Sequence, residues 1–237
     1  MTIRADLHIH SCLSPCGDLT MSPRAIAAAA VESGLDLLAL TDHNTARNVP
    51  AFAAACRDRG IAAVFGCEAT SSEEVHVLAL FEEERNAIEF GDEIYASLPD
   101  ARHDPVRFGD QVVVDEQETI VDTLQKHLIA ASAWSLTELG RLIHERGGLF
   151  IPAHIDRGSF SVWSQLGFLP SDAYDAVERV GEGRIDSGDL PVIAASDAHE
   201  PARIGCRATE FEGARPGFAA LRAALKERRV RTIARSE

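Results

Sequence analysis

The sequence predicts an α/β barrel, and three observations carry that prediction. Apolar runs of strand length alternate with helical segments, five such runs carry His, Asp or Glu at or near their ends, and 237 residues suffice for one barrel with a sizeable core. Residues at the C-terminal ends of successive parallel strands are how such a barrel builds a site. The expected unit is a single domain over residues 1–237.

The first strand leads into Asp6-Leu7-His8-Ile9-His10, where a side-chain period of two aims His8 and His10 at one face and Leu7 and Ile9 at the other. Two imidazoles on one face make a metal grip, or a solvated polar face if they stand alone. A loop from Ser11 to Thr20 carries Pro15, Gly17 and the carboxylate Asp18. Ser22 as N-cap, Pro23 at the first helical position and Gly34 past the end then mark a helix. Leu35 to Leu40 is the second strand and delivers His43 within Thr41-Asp42-His43-Asn44. A second helix runs from Pro50 to Arg59 and stops at Gly60, and Ile61 to Phe65 is a third strand that delivers Glu68. His76 lies inside the next apolar run, Val75 to Leu80. This alternation argues for parallel pairing with right-handed crossovers.

Between positions 82 and 135 the rhythm breaks. Thirteen acidic residues face four basic ones there, a balance of -9 out of the chain's -14. The stretch holds one helix, Glu83 to Leu98, and two apolar runs, Gln111 to Val114 and Thr119 to Val121, that form a hairpin unless the second opens a helix. It reads as an acidic insertion on the barrel, serving as solvated flap, oligomer contact or lid.

Regularity returns with the capping box Ser135 to Glu138 and a helix ending at Gly147-Gly148. Leu149 to Ala153 is a strand ending in His154. Ala173 to Val177 and Val192 to Ala195 are two more core strands, the latter carrying Asp197 and His199. A strand at Ala208 to Phe211, a helix from Pro216 and a strand at Val230 to Ala234 complete the chain. The basic run Arg222, Lys226, Arg228, Arg229 and Arg231 reads as a solvated face.

Composition narrows the classes. Hydrophobic residues at 46% and charged ones at 25% describe an ordinary globular protein, and no apolar run approaches the roughly 20 residues of a membrane span. With the first strand read directly after Met1 no leader peptide is expected, and an odd set of five unpaired cysteines suits a reducing compartment, so a cytoplasmic protein is expected. Cys12 and Cys16 could form a small metal clip, but no second Cys pair completes a structural zinc site. The net charge argues against electrostatic binding of long nucleic acids by the whole molecule.

Nine residues gather as candidate ligands: His8, His10, Asp18, His43, Glu68, His76, His154, Asp197 and His199. His103, His127 and His144 lack the strand-end placement and read as surface residues. Nine donors exceed what one tetrahedral ion uses, which points to two or three divalent cations sharing a bridging carboxylate, and a mixed imidazole and carboxylate set suits Zn, Mn or Fe better than Mg or Ca. Paired cations about 3.5 to 4 Å apart clamp the attacking and leaving oxygens of a phosphate ester and activate a hydroxide.

In this ordered set the chain resembles the PHP (polymerase and histidinol phosphatase) superfamily, from Asp6 to His199. The resemblance implies a distorted (β/α)7 barrel with a trinuclear metal centre. It places His8, His10, Glu68 and Asp197 on one metal, with Glu68 bridging to a second held by His76 and His154. It places Asp18, His43 and His199 on the third. Family members often have His where this chain has Asp18.

Asp6 and Asp42 are candidates to orient the ligand rings, and Arg157 and Arg203, three and four residues beyond His154 and His199, to hold a phosphate bidentately. Asp156 and Glu200 are expected to pair with those arginines or to face water. The leading expectation is a metal-dependent phosphoesterase acting on a small phosphorylated metabolite or nucleotide, with Glu68, Arg157 and Arg203 as its catalytic residues. Its alternatives are a 3'-5' exonuclease or oligonucleotide-trimming nuclease and a non-catalytic metal- or phosphate-binding regulatory domain. An amidohydrolase-like hydrolysis of a C–N bond would need a bridging Lys, and the chain's only two, Lys126 and Lys226, lie away from strand ends.

Overall fold

The structure, a computed structural model, describes residues 1–181 and 186–234. Three parallel strands, β1 (Thr2–Asp6), β2 (Leu37–Leu40) and β3 (Ala62–Thr70), alternate with α1 (Pro23–Glu32) and α2 (Val49–Arg59). Local chemistry sets the helix ends. The Ser22 hydroxyl accepts from Ala25 N–H with Pro23 behind it, and Gly60 ends α2 at φ 67°, a left-handed conformation that favours glycine.

β4 (His76–Phe81) then pairs antiparallel with β3, from Phe65 opposite Phe81 to Thr70 opposite His76. After α3 (Glu84–Ser97), α4 (Pro105–Phe108), β5 (Val112–Val114), β6 (Ile120–Thr123) and α5 (Leu136–Glu145), the chain returns as β7 (Leu149–Pro152), antiparallel to β4. Last come α6 (Val162–Leu166), β8 (Val177–Glu178), β9 (Val192–Ile193), a 3-10 turn at Pro201–Arg203, β10 (Arg207–Glu212), α7 (Phe218–Lys226) and β11 (Val230–Ala234).

The main sheet runs β11-β10-β1-β2-β3-β4-β7 and curls into a half-barrel. The parallel pair β8 and β9 fills the gap. Ile155 N–H, just past β7, donates to Glu178 O, Arg179 N–H donates to Ile193 O, and Ile9 bridges to Ala198. Alternate strand residues Ile3, Ala5, Leu37, Ala39, Leu78 and Leu80 fill the inner face, where Phe218 and Leu221 of α7 pack with them. The outer residues Leu38, Leu40, Val77 and Phe81 pack with α1, α2, α3 and α5. Each fully buried Leu or Phe contributes about 1.5–3 kcal/mol.

The distorted barrel is the expected class, with four local departures. β4 runs against the expected parallel order, so His76 is its first residue, and the reversal delivers that side chain to the rim reached by the C-terminal ends of β1 to β3. Glu68 lies inside β3, which continues to Thr70. β8 and β9 are two residues each. β1 ends at Asp6, and Leu7 and Ile9 are buried in different layers, Leu7 on the inner face and Ile9 on the outer one, so the strand alternation does not run through His10.

The acidic stretch also divides differently. Ala87, Phe90 and Ile94 join the barrel core, which makes α3 part of the outer helix layer, and the departure starts after Leu98. From there β5 and β6 form an antiparallel hairpin whose Val113 packs with Leu98, Leu124 and Leu128 around Leu13 of the loop that follows His10. Val112 N–H donates to Cys12 O, and a Cβ on Gly109 would lie 2.3 Å from Pro15 O, so only glycine permits this approach. The segment thus buttresses that loop. His103 is buried and stacks on His127 within it, against the expected surface placement. Among the described residues no helix is long and apolar enough to cross a membrane.

Candidate metal centre

Glu68 stands at the middle of the barrel's open rim, 1% exposed, and its two oxygens divide the imidazoles between them. Oε1 lies 2.9 Å from His76 Nδ1 and 3.0 Å from His154 Nε2. Oε2 lies 3.1 Å from His43 Nδ1, 3.3 Å from His8 Nε2 and 3.4 Å from His10 Nε2. Asp197 Oδ1 completes the second group at 3.3 Å from His8 Nε2 and 3.2 Å from His10 Nε2.

The His8 and His10 rings are fixed from behind. His8 Nδ1 donates to the Glu178 carboxylate at 2.9 Å. His10 Nδ1 donates to Ser14 Oγ at 3.0 Å, because the Ser14 hydroxyl gives its own proton to Asp42 Oδ1 at 2.7 Å. With both Nδ1 atoms committed, each Nε2 is left for a proton or a cation, and the two stand 3.1 Å apart. Two nitrogens on one tetrahedral zinc lie about 3.4 Å apart. The donor set therefore fits a divalent cation.

Charge and burial set the protonation of the cage. Burial opposes ionisation of Glu68, but His76, His8 and His43 outweigh it and hold its carboxyl well below the usual range. Asp197 is lowered in the same way by His8 and His10. Burial opposes a charge on His10 too, yet Asp197 and Glu68 raise it to about 9, and Glu178, Glu68 and Asp197 raise His8. Burial pushes His43 and His76 down and takes His199 to about 4. Among the described residues His76 Nε2 and His154 Nδ1 are buried without a hydrogen-bond partner, and His43 Nδ1, though 3.1 Å from Glu68 Oε2, does not meet it in hydrogen-bond geometry.

Strain is concentrated at the same place. His154 at φ 30° and Asp197 at φ 51° both lie in the left-handed region, which costs roughly 1–3 kcal/mol per non-glycine residue. Each follows the end of a strand, and the turn is what swings the side chain onto the rim.

Eight of the nine expected ligands converge; Asp18 does not. Its exposed carboxylate accepts from Thr20 N–H at 2.8 Å, capping its own turn, and the sulfur of Cys16 takes the inward place instead. Cys12 is buried against Asn48 and Val112, so the two cysteines form no clip.

The expected ring-orienting roles also shift. Asp6 accepts from Ser196 N–H and Gly205 N–H, both at 2.9 Å, and touches no ligand ring, while Asp42 acts on His10 through Ser14 and not on the adjacent His43. Glu178 went unnoticed in the sequence, although it follows the run Ala173 to Val177 just as Glu68 follows an apolar run.

Arg157 pairs with Asp197 Oδ2 at 2.9 Å, and exposed Arg203 lines a rim cavity of about 440 Å³ with Cys16, Asp18, Asp197, His199 and Glu200. Asp156 pairs with neither arginine; it accepts from Val180 N–H and Gly181 N–H. Lys126 donates to the carbonyls of Tyr95, Ala96 and Leu98, remote from the rim. In the C-terminal basic run Arg229 pairs with Glu227 and Arg231 with Glu210.

A barrel with imidazoles and carboxylates converging on one rim defines the class of metal-dependent hydrolase barrels. Residues 6–176 match the model of the PHP domain and residues 184–230 that of the PHP-associated region, so this chain belongs to the PHP domain family. No curated protein sequence matches it.

Among solved structures, the lesion-specific endonuclease PfuEndoQ from Pyrococcus furiosus superposes with a TM-score of 0.72 at 20% identity, over 96% of this chain and 56% of that one. Endonuclease Q in complex with a 27-mer duplex substrate, an abasic lesion at its active site, gives 0.71 at 21%, over 96% and 57%. A proposed metal-dependent phosphoesterase from Bifidobacterium adolescentis gives 0.59 at 20%, over 84% and 88%. At these identities the likeness is one of fold, and the chain spans little more than half the length of the endonuclease.

Proposed function

We propose that the chain is a metal-dependent phosphoric ester hydrolase acting on a small phosphate ester or nucleotide. The observation that carries this reading is Glu68, whose two oxygens face separate imidazole groups as a carboxylate shared by two cations would. His8, His10, Glu68 and Asp197 would hold one cation, and Glu68, His76 and His154 a second. When bound, such ions neutralise phosphate charge and lower the pKa of water toward 7.

The chain's own side chains do the positioning. Glu178 and the Ser14–Asp42 pair keep His8 and His10 aimed at the centre. Arg203 has no ion-pair partner among the described residues and is free to grip a phosphate, whereas Arg157 must first leave Asp197. His199, kept neutral by burial, serves as a ligand and not as a proton donor.

A small substrate is favoured by the rim itself. Asp18 and Glu200 line the cavity, and the acidic insertion buttresses the neighbouring loop, which makes a long polyanion costly there at low salt. The fold likeness to Endonuclease Q over 96% of the chain supports a second reading, a nuclease.

The discriminating experiment offers the Mn- or Zn-loaded protein a phosphomonoester, bis-p-nitrophenyl phosphate, nucleotides, short oligonucleotides and a duplex with an abasic site. Turnover of small esters, abolished by Glu68→Ala and His154→Ala, is expected. Activity confined to the oligonucleotides would move the assignment to the nuclease, and turnover surviving both substitutions would remove the metal mechanism.

A further inference from the structure

The loop from Ser11 to Asp18 is held far more tightly than its exposure suggests. Gly17 N–H donates to Ser14 O at 2.8 Å, Asp18 N–H donates across to His199 O at 2.8 Å, and a Cβ on Gly17 would lie 2.6 Å from Ser11 O. Only glycine fits that turn. Its effect is to send Asp18 outward and to bring Cys16 Sγ within 3.1 Å of His199 Nε2.

The tautomer of His199 follows from its other nitrogen. Nδ1 donates to Asp197 O at 2.8 Å, which leaves Nε2 as a lone pair facing the sulfur. The His10 ring stacks on His199 at 4.4 Å and meets His43 at 4.6 Å. One donor atom from each of His10, Cys16, His43 and His199 lies within 4.8 Å of all the others. His43 is 5% exposed, and its Nδ1 faces Glu68 Oε2 at 3.1 Å without making a hydrogen bond among the described residues, so a buried imidazole borders the cluster independently of the cysteine.

We infer that Cys16 is a thiolate ligand of a third cation site, formed with His199 and bordered by His10 and His43, which selects a thiophilic divalent ion such as zinc over manganese or magnesium. Sulfur is the soft donor in an otherwise nitrogen and oxygen centre, and soft donors set that preference. Binding forms a sulfur–cation bond and releases the thiol proton to solvent, with no change of oxidation state. The inference rests on the rim being a metal centre and adds what its outermost position contains.

Cobalt(II) added to the metal-free chain is the probe. The expected results are a near-ultraviolet thiolate-to-cobalt charge-transfer band in the wild type and in Asp18→Asn, its loss in Cys16→Ser, and one cation fewer per chain in that variant. Cobalt uptake without the band, or a band that persists in Cys16→Ser, would overturn the thiolate assignment alone. No cobalt uptake at all would overturn the metal centre with it.

A second measurement needs no variant. Cys12, Cys56 and Cys67 are buried, so iodoacetamide labelling followed by mass spectrometry reads Cys16 directly, with Cys206 as an internal control. Zinc is expected to slow labelling of Cys16 at least about tenfold and to leave Cys206 unchanged, since the metal-bound sulfur is not a free nucleophile. Equal labelling with and without zinc would contradict the assignment.

Discussion

The two oxygens of Glu68 look onto differently built halves of one centre. On the Oε2 side, His8 and His10 are each anchored through Nδ1, to Glu178 and to the Ser14–Asp42 pair. On the Oε1 side, His76 and His154 each turn one nitrogen to Glu68 and leave the other buried and unpartnered. An orphaned buried polar atom costs about 1–3 kcal/mol, and among the described residues no hydrogen bond holds these two rings from behind as Glu178 and Ser14 hold His8 and His10. The first half is therefore preorganised, and the second is completed by what it binds.

The largest expected effect tests whether the halves share one hinge. Glu68→Gln keeps the shape and removes the charge; kcat/KM should fall about 10³-fold or more, roughly 4 kcal/mol, and cation content on both sides should fall with it. Elemental analysis showing one cation retained at wild-type affinity would break the bridging assignment. Next in size, Glu178→Gln should weaken cation binding about 10–100-fold on the His8 side only, the usual effect of losing a carboxylate behind a ligand imidazole. Titration with cobalt would show it, and equal weakening of every bound ion would erase the contrast between the halves.

Protons sharpen the same comparison. The His10 pKa, raised to about 9, lies above its ordinary 6.5, so in the metal-free chain that proton stabilises the fold fully below 6.5, and the contribution is lost as pH rises through 9. A cation must displace it. Affinity on this side should climb up to about tenfold per pH unit from 7 to 9 and level off above, with proton release visible by calorimetry in buffers of different ionisation enthalpy. His76, on the Oε1 side and pushed down by burial, is neutral at pH 7 and should release none. Proton release that accompanies every equivalent of cation, or none, would refute the asymmetry.

The sequence showed the preorganised half less well than the other. His8, His10, His43, Glu68, His154, Asp197 and His199 were legible because each sits at the end of an apolar run, and His76 because it sits inside one. Of what anchors them only Asp42 was, and it was expected behind His43, whereas it acts on His10 through Ser14. Glu178 does follow the run Ala173 to Val177, but Asp175 interrupts that run and the strand there is only Val177 and Glu178, so its strand-end signal was faint. Ser14 serves through three-dimensional coincidence, accepting from both His10 Nδ1 and His43 N–H while donating to Asp42. The choice of Cys16 over Asp18 is made by Gly17 and by a hydrogen bond reaching from residue 18 to residue 199, a separation that spacing cannot encode. The barrel itself was readable from run lengths, but the reversal of β4 was not, since a strand's direction leaves no trace in its own composition.

The smallest expected effects separate the two rim arginines. Arg203 carries no competing ion pair among the described residues, so Arg203→Ala should remove one phosphate contact and raise KM about tenfold with kcat nearly unchanged, the signature of binding shared by ground and transition states. Arg157 is held by Asp197, and its side chain is 45% exposed, so that pair is worth at most about 1 kcal/mol and what it gains at a phosphate it partly loses at the carboxylate. Arg157→Ala should therefore change KM only about two- to threefold, while freeing Asp197 Oδ2 for the centre and tightening the cation on the His8 side by a comparable factor. Steady-state kinetics at saturating and limiting manganese read both quantities. A loss of kcat in either variant would place that guanidinium on charge that develops only in the transition state, and would join the rim to the chemistry more closely than its present ion pairing implies.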